Sequence, residues 1–516
     1  MSLLNELRGR ARSWLESRVR GTPPASAHPA EPGSPELGAL AFEPGDAPVP
    51  MPIPTEWAGV GDRAAHRHAW FAVMAQHDPM AAQAALESWL RHDLPGRGAA
   101  WAHPSDLAER MVNWHAGLSW LGLRARPELR AAMAGSAAWH LRHLHNTMPS
   151  GPHDGHRRVA HHAGALVAGL TFPGIEGARA AWSEAASGLG REWPALVFAD
   201  GADRAGVPLF LLRSAWLTAA AQAVAHANGT TLPGAARASW TQAAWFLSRL
   251  AAGVGSLPPL GAIPDSHADW PVAYPLAWSL WNLAGEDEPL GGRDPLATWF
   301  SARVNGTGGL VRSVRTHAPR GSTSETRPAW AMSSFASDGW AVATGTIRGE
   351  PARVVVHAAS ACEGPLHGTA PLSVRLDVGG IGIVTGDNAL EIDGAKRGRA
   401  QLDVSRVDNK KARIEGHSPA ARRAWHRDVL LNQARLIVTD RVVGGGDVRL
   451  SFTIPGGWTR EGEGNELTLR HPRPSGPLVA VLQLSPVLAW RRNGNAFVGT
   501  GKVRDGENFG FDIEIR

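Results

Sequence analysis

Near residue 300 the apolar pattern of the chain changes period, and this single change limits what the sequence can fold into. From about residue 62 to 285, apolar residues recur at helical spacing in Ala/Leu/Trp-rich blocks of roughly 12 to 20 residues, broken by Pro and Gly. The block "SDLAERMVNWHAGLSWLGL" is typical. Pro104 and Ser105 mark its start, and Asp106 and Glu109 suit the first turn. Leu107, Met111, Trp114 and Leu118 then fall on one face. About nine such helices are expected. After residue 300 the pattern alternates. "LSVRLDV" sets Leu372, Val374, Leu376 and Val378 against Ser373, Arg375 and Asp377, which predicts a half-buried strand. "ARVVVHA", "IGIVT", "ARIEGH", "RDVLLN", "ARLIVTD", "DVRLSFTI", "ELTLR", "LVAVLQL" and "FDIEI" continue the series. Helices followed by a long run of strands predict a segregated α+β architecture.

Two further segments precede the helices. Residues 22–55 are too rich in proline for a persistent helix or central strand, and read as a linker or extended strap. Residues 1–21 place Leu4, Leu7, Trp14 and Val19 among arginines, the pattern of a short amphipathic helix. Such a helix docks on the protein or makes a weak contact with a membrane surface. It lacks the continuous apolar core of a secretory signal, so a cytoplasmic location is expected, with the periplasm left open. No stretch approaches the ~18 apolar residues that span a bilayer. The expected map is therefore an N-terminal helix over 1–21, a linker over 22–55, a helical domain over 56–296 and a β domain over 297–516.

Composition removes several function classes. The net charge of +5 comes almost entirely from arginine, since lysine occurs only at Lys396, Lys410, Lys411 and Lys502. A GC-rich genome produces such a bias, and so does a function that uses arginine's planar fork on carboxylates or sulfates. The basic residues form no arm or long run, so nucleic acid is not an expected partner. Cys362 stands alone, which excludes an intramolecular disulfide framework and a cysteine zinc site. No Gly-x-Ser-x-Gly elbow, Walker loop or dinucleotide fingerprint lies in a fitting context. The Gly-rich "VVGGGD" lacks a following helix and reads as a hairpin turn.

The order of parts and several local patterns resemble the heparinase II/III-like polysaccharide lyases. In the helical half the resemblance rests on "ERMVNWHAGLSWL", "VAHHAGALVAGLTFPG", "FADGADRAGVPLFLL" and "LPPLGAIPDSHADW", and in the β half on "GTAPLSVRLDVGGIGIVTGDNAL" and "RDVLLNQARLIVTDRVVGGG". It covers about residues 60 to 510 and implies an incomplete α/α toroid followed by an antiparallel β-sandwich. The implied chemistry is β-elimination on an anionic, uronate-containing polysaccharide. That reaction needs the uronate carboxylate offset, a base to take the neighbouring proton and an acid for the leaving oxygen. The resemblance also shows where this chain departs. His156 and Arg157 stand where family members often carry an Asn-His pair. Phe210 stands at the position of the usual tyrosine, in a segment that begins at Asp200 and Gly201. "LHGTAPLSV" keeps His367 but lacks the second His and the Asp of the family strand entry. These departures leave a second function open, a non-catalytic polysaccharide-binding or accessory role in synthesis or export.

The candidate catalytic residues are therefore His156, Arg157, Tyr274 and His367. Tyr274 is the only tyrosine of the chain and lies between Pro271 and Pro275, beside Trp270 and Trp278. It packs among aromatics or brings a substitute hydroxyl to the site. Arg110, Asn113 and Trp114 are helix neighbours that can bind a sugar or belong to the core. Asp200, Asp203 and Arg204 lie in a loop before a helix, and Asp265 and His267 in a Pro-rich loop. These carboxylates bind substrate or act as turn formers. Seven histidines fall between residues 140 and 162. No acidic partner at i+4 completes a metal pattern there, so no metal or other cofactor is expected.

Overall fold

The computed structural model describes residues 57–251 and 330–516, with short gaps of which 359–371 is the longest. The expected helix over 1–21, the linker over 22–55, the boundary at 296/297, and Asp265, His267, Tyr274 and His367 lie outside the described residues. Eight α-helices precede the sheets among the described residues: α1 (Arg63–His66), α2 (Pro79–His92), α3 (Pro104–Leu121), α4 (Pro127–Asn146), α5 (Gly155–Thr171), α6 (Ala178–Leu196), α7 (Pro208–Ala227) and α8 (Gly234–Ala251). Proline at the first helical position starts α3 and α4, where the missing N–H is lost to no ladder bond. No helix among the described residues is long and apolar enough to cross a membrane.

The strands form three antiparallel sheets. A five-stranded meander runs in chain order through β1 (Trp330–Phe335), β2 (Trp340–Ile347), β3 (Glu350–His357), β4 (Ser373–Val378) and β5 (Ile381–Val384). An eight-stranded sheet contains β8 (Gln401–Val407), β9 (Ala412–Ser418), β10 (Trp425–Leu431), β11 (Arg435–Val442), β13 (Thr459–Glu461), β14 (Glu466–His471), β15 (Leu478–Leu484) and β18 (Asn508–Ile515). A second five-stranded sheet contains β6 (Leu390–Ile392), β7 (Ala395–Lys396), β12 (Gly446–Thr453), β16 (Ala489–Asn493) and β17 (Ala496–Val503). Every strand named from the alternating pattern is present. Val354, Val356, Leu376, Ile414, Val429, Val438, Phe511 and Ile513 interlock in one core that joins the meander to the eight-stranded sheet. The fold class is segregated α+β: the helices of an incomplete α/α toroid, followed by an antiparallel sandwich.

The chain divides into two compact units that do not follow the helix-to-strand switch. One contains residues 1–149, 160–188 and 220–232, and the other contains 150–159, 189–219 and 233–516. The second unit therefore includes α8, the start of α7 and the loop before it together with all the sheets.

Two sequence expectations are corrected here. Strand β4 is buried along its whole length rather than on one face. Its polar residues meet partners that supply the missing hydration: Arg353 Nη2 lies 2.7 Å and Arg375 Nη2 lies 2.8 Å from the Asp377 carboxylate, and Arg353 Nη1 also donates to the Leu250 carbonyl of α8. Burial pushes the Asp377 carboxyl up, but Arg353 and Arg375 outweigh it and hold it below its ordinary range. The "VVGGGD" segment is not a hairpin turn. β11 and β12 belong to different sheets, and Gly444, Gly445 and Gly446 all take positive φ to carry the chain across. A Cβ on Gly445 would stand 2.6 Å from the Val503 carbonyl oxygen, so the crossing requires glycine.

Candidate functional site

The loop between α6 and α7, "FADGADRAGVP", is folded by its own carboxylates. Asp200 Oδ1 accepts from Ala202 N at 3.2 Å, and Oδ2 accepts from Ser337 N at 2.9 Å in the β1–β2 turn. Gly201 has φ +87°, and a Cβ there would lie 2.0 Å from the Gln242 carbonyl oxygen of α8. Only glycine lets the loop pass this close. Asp203 is fully buried and accepts from Ala205 N at 3.2 Å and Val207 N at 2.9 Å, which satisfies donors ahead of α7.

His156, in the first turn of α5, completes the arrangement. Its Nε2 lies 3.1 Å from Asp203 Oδ1 and its Nδ1 lies 3.0 Å from Ser214 Oγ, while its side chain is 11% exposed. An ionised carboxylate only accepts, so Nε2 carries the hydrogen. In the neutral ring Nδ1 is then a lone pair that accepts from the Ser214 hydroxyl. Phe210, one turn before Ser214 on α7, presents its ring to the imidazole at 5.9 Å and 62°. At the position that resembles the family's tyrosine, an apolar ring therefore lies beside a His–Asp–Ser chain of hydrogen bonds.

The other candidates lie in different settings. Arg157 follows His156 on α5, but its side chain is 66% exposed and donates to Asp154 at 3.2 Å. Arg204 is exposed, donates to the Val197 carbonyl and covers the Phe198 ring at 4.4 Å. Arg110, Asn113 and Trp114 are buried in the other unit, as the core reading of the sequence has it. Arg110 donates to the carbonyls of His66 and Ala100 and meets His140 Nε2 at 2.7 Å. Asn113 Nδ2 donates to the Arg67 carbonyl, and Trp114 Nε1 donates to His68 Nδ1 at 2.8 Å. Arg67 in turn binds Asp106 at 3.0 Å. Burial first, and the Arg110 charge second, lower the pKa of His68 and His140 well below 6.5. No face of Trp114 is left for a sugar ring in this structure.

Sequence reasoning did not single out Ser214, nor a second buried pair in which His357 Nε2 meets Asp338 Oδ2 at 2.7 Å and stacks on Trp340 at 3.7 Å. Ser214 left little signal, since α7 also carries Arg213, Thr218 and Gln222. Of the described histidines between 140 and 162, His140 and His143 both pack against Trp101, whereas His156 lies with Asp203 and Ser214. Among the described residues, no group of three His, Cys, Asp or Glu side chains is arranged to hold a metal ion.

A series of helices followed by antiparallel sheets gives this chain a polysaccharide lyase-like fold of the heparinase type. No family profile matches the sequence, and no curated protein does. Solved structures do match. A heparinase III structure superposes with a TM-score of 0.59 at 12% identity, covering 87% of this chain and 76% of its own. A second heparinase III gene product gives 0.56 at 12%, covering 91% and 81%. The heparan sulfate lyase HepC of Pedobacter heparinus gives 0.53 at 14%, covering 97% and 86%.

Proposed function

We propose that the protein acts on an anionic, uronate-containing polysaccharide by β-elimination, with His156 taking the proton. The observation that carries this reading is the His156–Asp203 pair within a lyase-like fold. A buried carboxylate, fixed by two backbone N–H groups, holds the ring through Nε2. The opposite nitrogen, which accepts from the Ser214 hydroxyl, is the one that would take the proton. In the reaction the base removes the proton on the carbon next to the uronate carboxylate, and the glycosidic oxygen across the adjacent bond departs. Asp203 stabilises the imidazolium that forms. That imidazolium returns the proton to the leaving oxygen when both lie on one side of the sugar ring.

Phe210 favours a second reading, polysaccharide binding without cleavage during synthesis or export, because a phenyl ring transfers no proton. Incubation with a panel of uronate polymers separates the two. A rise in ultraviolet absorbance from the unsaturated uronate product supports elimination. Co-sedimentation with a polymer but no rise in absorbance supports the binding role. Failure to bind or cleave any polymer contradicts both.

A further inference from the structure

Most arginines of the sheets meet a carboxylate, as in Arg413–Asp428 at 2.7 Å, Arg427–Asp440 at 2.7 Å and Arg473–Glu350 at 3.1 Å. Arg460 and Arg492 do not. They converge on the turn between β16 and β17, where Arg492 Nε donates to the Gly494 carbonyl at 2.9 Å and Arg460 Nη2 donates to Asn495 Oδ1, also at 2.9 Å. The turn is fixed in place because Ile454 N donates to the Asn495 carbonyl at 3.0 Å. The acid nearest in sequence, Glu461, is turned to Arg470 at 3.4 Å. Arg460 Nε is buried with no acceptor, and burial followed by the Arg492 charge lowers the Arg460 pKa. Two like charges on one short turn repel each other, and an anion between them removes the repulsion. Asn495 is exposed, and with Oδ1 occupied by Arg460 its Nδ2 remains available as a further donor.

We propose that Arg460, Arg492 and the Asn495 amide form an anion subsite for a carboxylate or sulfate group of a polysaccharide chain, an inference that rests on the proposed function. Planar guanidinium forks suit both groups. None of these residues belongs to the His156 site, so the subsite would hold the polymer without touching the reacting bond.

The test uses the full chain and the double variant Arg460→Gln/Arg492→Gln, with circular dichroism as the check of folding. At fixed ionic strength, replacing chloride by inorganic sulfate should raise the melting temperature of the parent by more than that of the variant, whose rise reports only sulfate's general exclusion from protein surfaces. On polygalacturonate, which carries only carboxylates, and on dextran sulfate, which carries only sulfates, at least one polymer should lose affinity by about tenfold or more in the variant, the size of one charge-assisted hydrogen bond. The polymer that responds identifies the anion. A variant that matches the parent in both the sulfate response and polymer affinity overturns the subsite. If the sulfate response depends on the two arginines while the parent binds no polymer, the anion site stands and the polysaccharide reading fails.

Discussion

Around Arg110, buried histidines present bare ring nitrogens to donors; around Asp203, His156 presents an N–H to an acceptor. His66 Nδ1 faces the Trp89 indole N–H at 3.1 Å, His68 Nδ1 faces that of Trp114 at 2.8 Å, and His140 Nε2 faces the Arg110 guanidinium at 2.7 Å. Protonating any of these nitrogens would set N–H against N–H in a buried site. Burial and then Arg110 oppose the proton on His68 and His140 in the same sense. His156 Nε2 instead faces a carboxylate that the backbone fixes in place. The same side chain thus accepts from fixed donors in one unit and donates to a fixed carboxylate in the other.

The strongest challenge to this contrast is Arg110→Leu. It should destabilise the helical unit by about 3–5 kcal/mol, because two carbonyls and His140 lose their donor in a dry site. Denaturant unfolding measures this, and a loss below about 1 kcal/mol would remove Arg110 from the core.

Acid should separate the two units next. The folded-state pKa values of His68 and His140 lie below 6.5, so the unfolded chain binds more protons below that pH. Their contribution is full above pH 6.5 and falls with pH until the folded values are passed, by at most about 1.4 kcal/mol per pH unit for each histidine. Asp377 is also depressed, from 3.8, so the stability it gives is present above that value and is lost only at lower pH. Unfolding followed by the tryptophans of the helical unit should therefore begin at higher pH than unfolding followed by hydrogen exchange in β4. Coincident transitions from about pH 6.5 downward would contradict this order.

Asp203→Asn tests the other side of the comparison. The amide keeps one acceptor oxygen where the carboxylate has two, so either the Ala205 or the Val207 N–H loses its partner and His156 no longer faces an anion, and a stability loss of about 1–2 kcal/mol is expected. Arg157→Ala should give the smallest effect, under about 1 kcal/mol in stability, because its pair with Asp154 is largely exposed. A larger loss would mean that Arg157 reaches into the site.

The order of helices and strands was legible because the apolar period changes from helical to alternating, and burial enforces that period. β4 misled because Arg375 and Asp377 look like a solvated face, whereas in the dry interior Asp377 pairs with Arg375 and with Arg353 of the neighbouring strand. "VVGGGD" misled because three positive-φ glycines serve a sheet crossing as well as a hairpin. His156 and Asp200 could be named from the family resemblance, and Asp203 stood out as a charge before a helix. Ser214 could not be tied to them, since the contact spans 58 residues and depends on how α5 packs against α7. Arg110, Asn113 and Trp114 have the residue types of a sugar site, and only their burial places them in the core.

The central claim, that His156 is the base of a uronate elimination, is tested most directly by His156→Ala on whichever uronate polymer the parent cleaves. Initial rates of unsaturated product and polymer affinity are measured together, with folding checked by circular dichroism. The expected result is a fall in turnover of about 100-fold or more, the lower range of general-base contributions, with affinity changed by less than about tenfold. Turnover equal to that of the parent in a folded variant would contradict the assignment and return His156 to a structural role.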